Sequence, residues 1–392
     1  MARKVARSRL AVGLMSGTSL DAVDAALVRL AGPATQPQVR LLAFASIRYS
    51  PAVRQRILQV AAGQAAPARE ISQLNFLLGE LFADAALRVC GKAGISARRL
   101  SVIGSHGQTV FHQGFATSEA GRKIRSTLQI AEPAVIAERT GAPVVANFRT
   151  RDVALGGQGA PLVPLVDYLL FKDRNKGTVT LNLGGIANLT VIPAGAGPDE
   201  VFGFDTGPGN MVMDALVRHF TGSRKRYDSG GRMAAKGKVL TERLSRALRF
   251  SFFRQPPPKS AGREQFGKKF MQRYFLPGPR RESFEDLLRT SNELTARTVA
   301  DALRNFVSPQ LKAGRLIVSG GGAHNRLLVR RIGELLPELD VQLSDALGIP
   351  AGAKEAIAFA ILADRTLQGL PGNLPSVTGA RRAVALGNIY QP

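Results

Sequence analysis

The chain contains few cysteine and aromatic residues, and this excludes several kinds of protein. Its 392 residues include one Cys and no Trp, and only 6% of them are aromatic. A single Cys cannot form an internal disulfide, a CxxC redox pair or a cysteine-rich zinc site, so the chain does not need an oxidising compartment. Because few aromatic rings are available to stack on bases and no RRM, KH or zinc-finger pattern occurs, nucleic acid is not the expected partner.

The chain also lacks a long hydrophobic run. The basic start is followed by an apolar stretch that breaks at Ser16, which is too early for the core of an export signal. The longest informative uncharged stretch, residues 178–198, contains Asn182, Asn188, Pro193 and several glycines. A spanning helix is not expected there, and we expect a soluble cytoplasmic protein.

Acidic residues are scarce relative to basic ones. The chain has 53 Lys and Arg residues against 29 Asp and Glu residues, which gives a formal net charge of +24. Residues 218–281 carry 18 of the basic residues and three acids, and we expect an irregular excursion over 251–281 that could act as a mobile flap. The leading interpretation is a solvated, arginine-rich surface. Attraction of a small anionic substrate is the alternative, and nucleic acid is the weakest one.

Predicted strands and helices alternate along the chain, which favours an α/β fold. Strands are predicted over 10–15, 101–103, 144–146, 178–183, 189–192 and 316–318. Helices are predicted over 71–89, 210–220, 291–307 and 354–367. Residues 21–30 are ambiguous, because the alanines favour a helix while alternating apolar residues allow the second strand of a hairpin.

Four glycine-bearing turns follow predicted strands. Their sequences are GLMSGTSLD (13–21), LGGIANLT (183–190), GFDTGPGN (203–210) and SGGGAHN (319–325). Glycine lets backbone N–H groups approach phosphate oxygens, so four such turns predict a phosphate-binding cleft. The Walker, dinucleotide, zinc-protease and serine-hydrolase motifs are all absent. The Ser105-His106 pair is better explained as part of a binding turn than as a nucleophile and its base.

The first two turns indicate an internal repeat, since each joins a strand to a following apolar segment. Two facing hairpins of this kind hold ATP in the sugar kinase, heat-shock nucleotidase and actin superfamily. Within that superfamily the chain resembles the anhydro-N-acetylmuramic acid kinases. The resemblance depends on residues 13–21, SHGQT (105–109), QIAE (129–132), NFR (147–149), GAP (159–161), NLGGIAN (182–188), FDTGPGN (204–210) and the turn at Gly320.

The resemblance implies a two-domain, actin-like (ribonuclease H-like) α/β fold with ATP and substrate in the interdomain cleft. It implies a first domain of residues 1–176 joined by 371–392, a second domain of residues 177–370, and a strand over 21–30. The expected partners are ATP and the sugar, with a homodimer left open, and neither nucleic acid nor a membrane.

The resemblance also implies the reaction. Water attacks C1 of 1,6-anhydro-N-acetylmuramic acid, the ring opens, and O6 takes the γ-phosphoryl group of ATP, in cell-wall recycling. By the family motif, Asp205 is the general base that deprotonates the water. An ionised carboxylate suits that role at neutral pH, although a cap of the turn that follows is the alternative role for Asp205.

The same resemblance implies binding residues. Nucleotide contacts are expected at Gly13, Leu14, Met15, Ser16, Gly17, Thr18, Ser19, Leu20, Gly184, Gly185, Asn188, Gly207, Gly209, Asn210, Gly320, Gly321 and Gly322. Sugar contacts are expected at His106, Gln108, Gln129, Glu132, Asn147 and Arg149, with Arg149 facing the lactyl carboxylate or forming an ordinary surface ion pair. Mg²⁺ is expected on the ATP, with Asp21 and Glu355 as candidate ligands or as plain surface charges.

Three other functions stay open on the sequence. A kinase of another sugar would share the fold but not the hydrolytic step. A non-catalytic, ATP-dependent switch protein would share the nucleotide site, although the chain lacks a long peptide-binding segment. A basic nucleic-acid binder would show a strongly salt-dependent affinity without any need for ATP.

Overall fold

The computed structural model describes residues 8–17, 20–63, 66–276, 282–307 and 313–392. The chain forms two compact units, the first made of Met1–Leu170 and Ala353–Pro392 and the second of Phe171–Gly352. Each unit contains one β-sheet with helices packed on it. Both sheets are mixed, with antiparallel and parallel neighbours.

The strands are β1 Arg9–Ser16, β2 Ala22–Ala31, β3 Gln38–Arg48, β4 Val102–Glu119, β5 Arg122–Ile130, β6 Val144–Ala146, β7 Gly177–Leu183, β8 Ile186–Ile192, β9 Phe202–Pro208, β10 Ala313–Ser319, β11 Asp340–Leu343 and β12 Asn388–Tyr390. The helices are α1 Pro51–Ala61, α2 Ala68–Lys92, α3 Pro133–Thr140, α4 Thr150–Ala154, α5 Val163–Phe171, α6 Met211–Phe220, α7 Thr241–Leu248, α8 Arg263–Phe266, α9 Lys268–Tyr274, α10 Phe284–Phe306, α11 Arg326–Leu335, α12 Lys354–Leu367 and α13 Pro375–Thr378.

In the first unit, β1, β2 and β3 form an antiparallel meander, and β4 and β6 lie parallel to β1 on its other side. The segment that was ambiguous between helix and strand is β2, as the resemblance implied. Val23, Ala25 and Leu27 of this strand are fully buried, and so are Ala26 and Val28. Because both faces of β2 are covered, burial overrides the helix propensity of its alanines.

Helix α12 packs directly on this sheet at two paired glycines, Gly13 of β1 and Gly104 of β4. A Cβ at Gly13 would lie 1.7 Å from the Ala356 carbonyl oxygen, and one at Gly104 would lie 2.0 Å from the Phe359 carbonyl oxygen. Gly13 therefore serves helix packing, which differs from the nucleotide contact expected of it. The same packing places α12 in the first unit, whereas the sequence prediction put residues up to 370 in the second domain.

In the second unit the strand order is β11-β10-β7-β8-β9, and α10 packs on α6, α7, α11 and β9. The described part of residues 251–281 is not the irregular excursion that was predicted. It contributes aromatic side chains to the buried core of this unit, at Phe252, Phe266, Phe270, Tyr274 and Phe275.

The two sheets repeat one arrangement. In each, three consecutive antiparallel strands are followed by two strands parallel to the first, giving β3-β2-β1-β4-β6 and β9-β8-β7-β10-β11. The internal repeat predicted from the glycine turns is therefore confirmed, as is the α/β, actin-like fold class. Within the described ranges, no helix combines the length and the apolar character needed to cross a bilayer.

Candidate active site

The first glycine turn joins β1 to β2 in the first unit. The Leu20 N–H donates to the Gly17 carbonyl at 3.2 Å, and a side chain at Gly17 would meet open space. Leu14 and Leu20 are buried in the apolar core, so their side chains do not line a ligand site, and Met15 is partly buried. Two of the expected nucleotide contacts, Thr18 and Ser19, lie outside the described residues.

Ser16 ends β1 beneath this turn, and its hydroxyl is buried. It lies 2.9 Å from the Ala22 carbonyl oxygen and 2.6 Å from Oε1 of Gln108, while Nε2 of Gln108 donates to the Thr109 carbonyl. Gln108 is 1% exposed. Its amide therefore ties β4 to the turn, which differs from the sugar contact expected of it.

Three of the predicted glycine turns converge in the second unit. Strands β7, β9 and β10 run in the same direction, so their carboxyl ends meet at one edge of the sheet. The Gly209 N–H donates to the Gly185 carbonyl at 2.9 Å, and the Asn210 N–H donates to the Gly184 carbonyl at 2.8 Å. Ligands of α/β proteins bind at such an edge.

The third of these turns, Gly320–Gly322, lies against the first two. The Asn210 amide donates to the Leu183 carbonyl at 3.1 Å. A Cβ at Gly322 would lie 2.6 Å from Cβ of Leu183, whereas one at Gly321 would have no neighbour closer than 4.0 Å. The turn is therefore closely packed below and open at Gly321, which suits close approach of a ligand to the backbone.

Asp205 lies on β9, two residues before Gly207 and opposite Asn188 of β8. Its carboxylate accepts from the Ala261 N–H at 2.7 Å, and its own N–H donates to the Lys259 carbonyl at 3.0 Å. Burial raises the pKa of Asp205 to about 6, although the Ala261 N–H and the Lys259 charge both lower it. The carboxylate is half-buried and still ionised at neutral pH, which suits a general base.

A cavity of about 490 Å³ lies in the first unit. It brings together four of the six residues expected to contact the sugar: His106, Gln129, Glu132 and Asn147. Gln108 and Arg149 are not among the residues that line it. The size and the mixed polar and apolar lining fit a small-molecule site.

The lining residues that the sequence did not predict include Asn75 of α2 and Tyr390 of β12. The Asn75 amide donates to Glu132 at 2.9 Å, and the Asn147 amide donates to the Tyr390 hydroxyl at 3.2 Å. Asn147 adopts a left-handed backbone conformation with φ of 60°, which is uncommon outside glycine and concentrates at functional sites. No local motif marks Asn75 or Tyr390, because the fold brings them in from distant parts of the chain.

His106 and Arg149 form one hydrogen-bonded pair. The Arg149 Nε donates to Nε2 of His106 at 3.0 Å, and Nδ1 of His106 lies 2.9 Å from the Gly107 carbonyl oxygen. Burial lowers the pKa of His106 to about 3, so the ring is neutral, with its hydrogen on Nδ1 and its acceptor on Nε2. Both ring nitrogens are thus engaged within the protein, and His106 supports Arg149 more directly than it contacts a ligand.

Arg149 is further held by the Gly159 carbonyl, to which its guanidinium donates at 2.9 Å. Burial lowers the pKa of Arg149 to about 10, so the side chain stays charged at neutral pH. The contacts with His106 and Gly159 therefore fix the orientation of the guanidinium. The alternative surface ion pair is not seen, since no carboxylate within the described residues lies in salt-bridge contact with Arg149.

The two candidate metal ligands have different surroundings. Asp21 forms an exposed ion pair with Arg54 at 3.2 Å. Glu355 is the second residue of α12; partial burial raises the pKa of its carboxyl group and the charge of Asp24 raises it further, while the charges of Lys354 and Arg149 lower it. Within the described residues no group of three His, Cys, Asp or Glu side chains is suited to hold a metal ion.

Known proteins resemble this chain along almost its whole length. A family model described as anhydro-N-acetylmuramic acid kinase matches residues 9–392. A protein of Caldanaerobacter subterraneus named anhydro-N-acetylmuramic acid kinase is 44% identical over 382 residues, covering 97% of this chain and 96% of that protein. One of the same name from Gloeobacter violaceus is 47% identical over 386 residues, covering 97% and 98%.

Solved structures match at low identity. The activator of 2-hydroxyisocaproyl-CoA dehydratase from Clostridium difficile, with bound ADPNP, has a TM-score of 0.43 and 10% identity over 90% of this chain and 94% of that one. A glucokinase of the ROK family from Streptomyces griseus has a TM-score of 0.39 and 14% identity, covering 91% and 99%.

Proposed function

Because the chain belongs to the anhydro-N-acetylmuramic acid kinase family and is therefore a kinase, we propose that it converts 1,6-anhydro-N-acetylmuramic acid, ATP and water into N-acetylmuramic acid 6-phosphate and ADP. We assign the reaction to cell-wall recycling in the cytoplasm, where ATP is available. A kinase of another sugar without the hydrolytic step remains the alternative within the same fold.

The proposed reaction breaks two bonds between heavy atoms, forms two others and transfers one proton. The oxygen of water bonds to C1 of the sugar while the bond between C1 and O6 breaks, and Asp205 takes the proton that the water loses. O6 then bonds to the γ-phosphorus of ATP, and the bond from that phosphorus to the β,γ-bridging oxygen breaks to release ADP. Asp205 returns its proton to solvent before the next turnover.

The observation that supports this proposal most strongly is the setting of Asp205. Its carboxylate is desolvated enough to have a raised pKa, yet one oxygen is held by the Ala261 N–H. A base whose pKa lies just below neutral pH is mostly ionised and can still accept a proton from an activated water. A residue serving only as a turn cap would not need this desolvation.

Nucleotide binding is assigned chiefly to the converging turns of the second unit. Backbone N–H groups at glycines bind phosphate without a side chain in the way, and Gly321 offers the open approach for the adenosine. Asn188, Asn210 and Gly207 lie in or beside the same turns. In the first unit, Gly17 remains the proposed phosphate contact, whereas the buried Ser16 hydroxyl is already engaged by the Ala22 carbonyl and Gln108.

Of the two candidate metal ligands, only one has a carboxylate that fits a metal ion bound to the nucleotide. Glu355 offers a carboxylate with no hydrogen bond among the described residues, which fits a magnesium ligand, whereas Asp21 is already paired with Arg54. Mg²⁺ bound to the phosphates would neutralise charge that develops during phosphoryl transfer. The protein would supply at most one or two carboxylates, leaving water and phosphate as the other ligands.

Sugar recognition is assigned to the cavity of the first unit. Gln129, Glu132, Asn147 and Asn75 present amide and carboxylate groups, which suit the hydroxyl and acetamido groups of an amino sugar. Arg149 is the proposed partner of the lactyl carboxylate.

The test is product analysis in oxygen-18 water. Purified protein is incubated with the anhydro-sugar, ATP and magnesium chloride, and the product is examined by mass spectrometry after brief reaction. We expect one oxygen-18 atom, located at the C1 hydroxyl. Unlabelled product incubated in the same water for the same time corrects for exchange at C1. If ADP were released when N-acetylmuramic acid is supplied with ATP, but not when the anhydro-sugar is supplied, the result would instead support a kinase of another sugar.

A further inference from the structure

Lys259 is a buried cation in the second unit, which is unusual for lysine. Only 7% of the residue is exposed. Its Nζ donates to the Phe252 carbonyl at 3.2 Å and to the Phe253 carbonyl at 3.4 Å. The same nitrogen lies over the rings of Phe306, Phe252 and Phe204, at 4.8, 5.0 and 5.9 Å from their centroids.

This surrounding favours the ammonium form. The two backbone carbonyl oxygens accept hydrogen bonds from Nζ, and the faces of the aromatic rings attract a cation. Burial lowers the pKa of Lys259 to about 8, while the carboxylate of Asp205 raises it. The side chain is therefore mostly charged at neutral pH. Among the described residues Lys259 forms no ion pair, and Asp205 is the acid whose charge acts on it.

The chain around Lys259 also holds Asp205 directly. The Asp205 N–H donates to the Lys259 carbonyl at 3.0 Å, and two residues later the Ala261 N–H donates to Oδ2 of Asp205 at 2.7 Å. One short segment thus fixes both the backbone and the carboxylate of the proposed base. Anchoring the Lys259 side chain among three phenylalanines fixes that segment in turn.

Within the part of the chain that the structure describes, the other neighbours of β9 bring no competing charge to Asp205. Strand β8 places Asn188 opposite it. Helix α10 approaches β9 through Phe306, 6.0 Å from the Phe204 ring, and through Thr298 beside Gly207. Among the described residues, Lys259 is thus the charged group whose field acts on Asp205.

We propose that Lys259 is a positioning residue for the general base: its caged ammonium holds residues 259–261 against Asp205 and keeps the Asp205 carboxylate ionised through the neutral range. This inference depends on the proposed function, because it assigns Lys259 a part in activating the water. Lys259 does not itself touch the reacting atoms.

The test compares Lys259→Met with Lys259→Arg and with Lys268→Met, an exposed lysine on α9 in the same unit. Methionine keeps an unbranched side chain among the rings but removes the charge. An ionised base is required for turnover, so the acid limb of the kcat profile reports the pKa of Asp205 in the complex. We expect the midpoint of this limb to lie near pH 6 in the wild type and to move up by about 0.5 to 1 on the pH scale in Lys259→Met.

The expected result depends on pH in a way that a structural defect would not. If the midpoint moves from about pH 6 to about pH 7, Lys259→Met loses about fivefold in kcat at pH 6 and recovers the wild-type value above about pH 8. Lys259→Arg and Lys268→Met keep the wild-type midpoint, and KM for ATP is unchanged in all three. A folded Lys259→Met protein with the wild-type midpoint, or with the same loss at every pH, would overturn the proposal.

A second measurement does not require any lysine variant to fold or the enzyme to turn over. Carbon-13 carboxyl NMR of the wild type, with Asp205→Asn for assignment, should show Asp205 titrating near pH 6 with a second, smaller step near pH 8 as Lys259 loses its proton. Absence of the second step would refute the coupling. If the coupling is present but the anhydro-sugar is not consumed, the proposed function fails while the Lys259–Asp205 relation stands.

Discussion

At the scale of single residues, the proposed reaction depends most directly on the carboxylate of Asp205. Asp205→Asn keeps the size of the side chain and removes its basicity. We expect kcat to fall by more than tenfold in a coupled ADP assay, while calorimetry finds ATP affinity within about twofold of the wild type. A variant that retained a tenth of wild-type kcat would show that another group deprotonates the water.

His106 offers a second prediction, because its neutral ring accepts a hydrogen bond from Arg149. His106→Leu removes that acceptor and leaves the guanidinium free to turn. We expect KM for the anhydro-sugar to rise about tenfold with KM for ATP unchanged, since a hydrogen bond to a charged group contributes about 1.5 to 3 kcal/mol. Initial-rate kinetics with each substrate varied in turn measure both constants.

The matched control for this variant is His219→Leu, which changes an exposed histidine on α6 of the second unit. It should leave both KM values at wild-type levels. Equal rises in KM for sugar and ATP in His106→Leu would show a general disturbance and contradict the role given to the pair.

Several residues of the site could be predicted from the sequence, but the hydrogen-bond partners of their polar atoms could not. The motif around His106 and Gln108 marks a binding turn, yet three-dimensional contacts commit His106 to Arg149 and Gln108 to Ser16. Lys259 looked like one more charge in a basic stretch. Its role depends on rings from β9 and α10, which no local pattern relates to it.

At the scale of elements, the contact between α12 and its sheet determines where glycine is required. A methyl group at Gly104 would meet the backbone of Phe359, which cannot move without shifting the helix. We expect Gly104→Ala to lower the free energy of unfolding by about 1 to 3 kcal/mol or more. Urea unfolding followed by circular dichroism measures this difference.

Gly91, at the exposed end of α2, is the control, because a Cβ there would meet no neighbour. Gly91→Ala should be neutral or stabilising by up to about 1 kcal/mol. If the two variants unfolded at the same urea concentration, the close approach of α12 to β4 would be contradicted.

Helices and strands were predicted well where the periodic pattern of apolar residues was long. They were predicted poorly where packing against distant parts of the chain determined the secondary structure. Helix α12 begins and ends where its alanine-rich pattern predicts, at Lys354 and Leu367. Strand β2 could not be assigned from propensity, since its alanines are buried by neighbours that lie far away in the sequence. The stretch over 251–281 looked irregular because it contains three consecutive prolines and many charges, although the aromatic residues of its described part fill a core.

At the scale of the whole molecule, the net charge of +24 does not lie entirely on the surface. Lys259 is buried among phenylalanines, and Arg243 is 6% exposed and pairs with Glu282 and the Tyr274 carbonyl. Arg224 and Lys225, by contrast, are exposed. The basic stretch therefore combines structural cations with a solvated surface, and its charge alone does not identify a partner.

The division into two units could be anticipated from the repeated turns, but the return of the chain to the first unit could be anticipated only in part. Residues 371–392 were expected there, and the structure adds α12. The C-terminal segment is held by Asp152, a fully buried carboxylate on α4. It accepts from the Asn373 amide, the Thr378 hydroxyl and the Gly159 N–H, each at 2.7 Å.

This arrangement makes Asp152 a test of how the C-terminal segment is anchored. Asp152→Asn replaces one accepting oxygen by an NH₂ group that would face a donor, so the free energy of unfolding should fall by about 3 kcal/mol. Cleavage within residues 371–392 by a protease at low concentration should become faster, as followed by mass spectrometry. Asp199→Asn, which changes an exposed acid, serves as the control and should match the wild type in both measurements. Equal stability and equal cleavage in the two variants would show that the segment is held by its apolar contacts, with no need for the buried carboxylate.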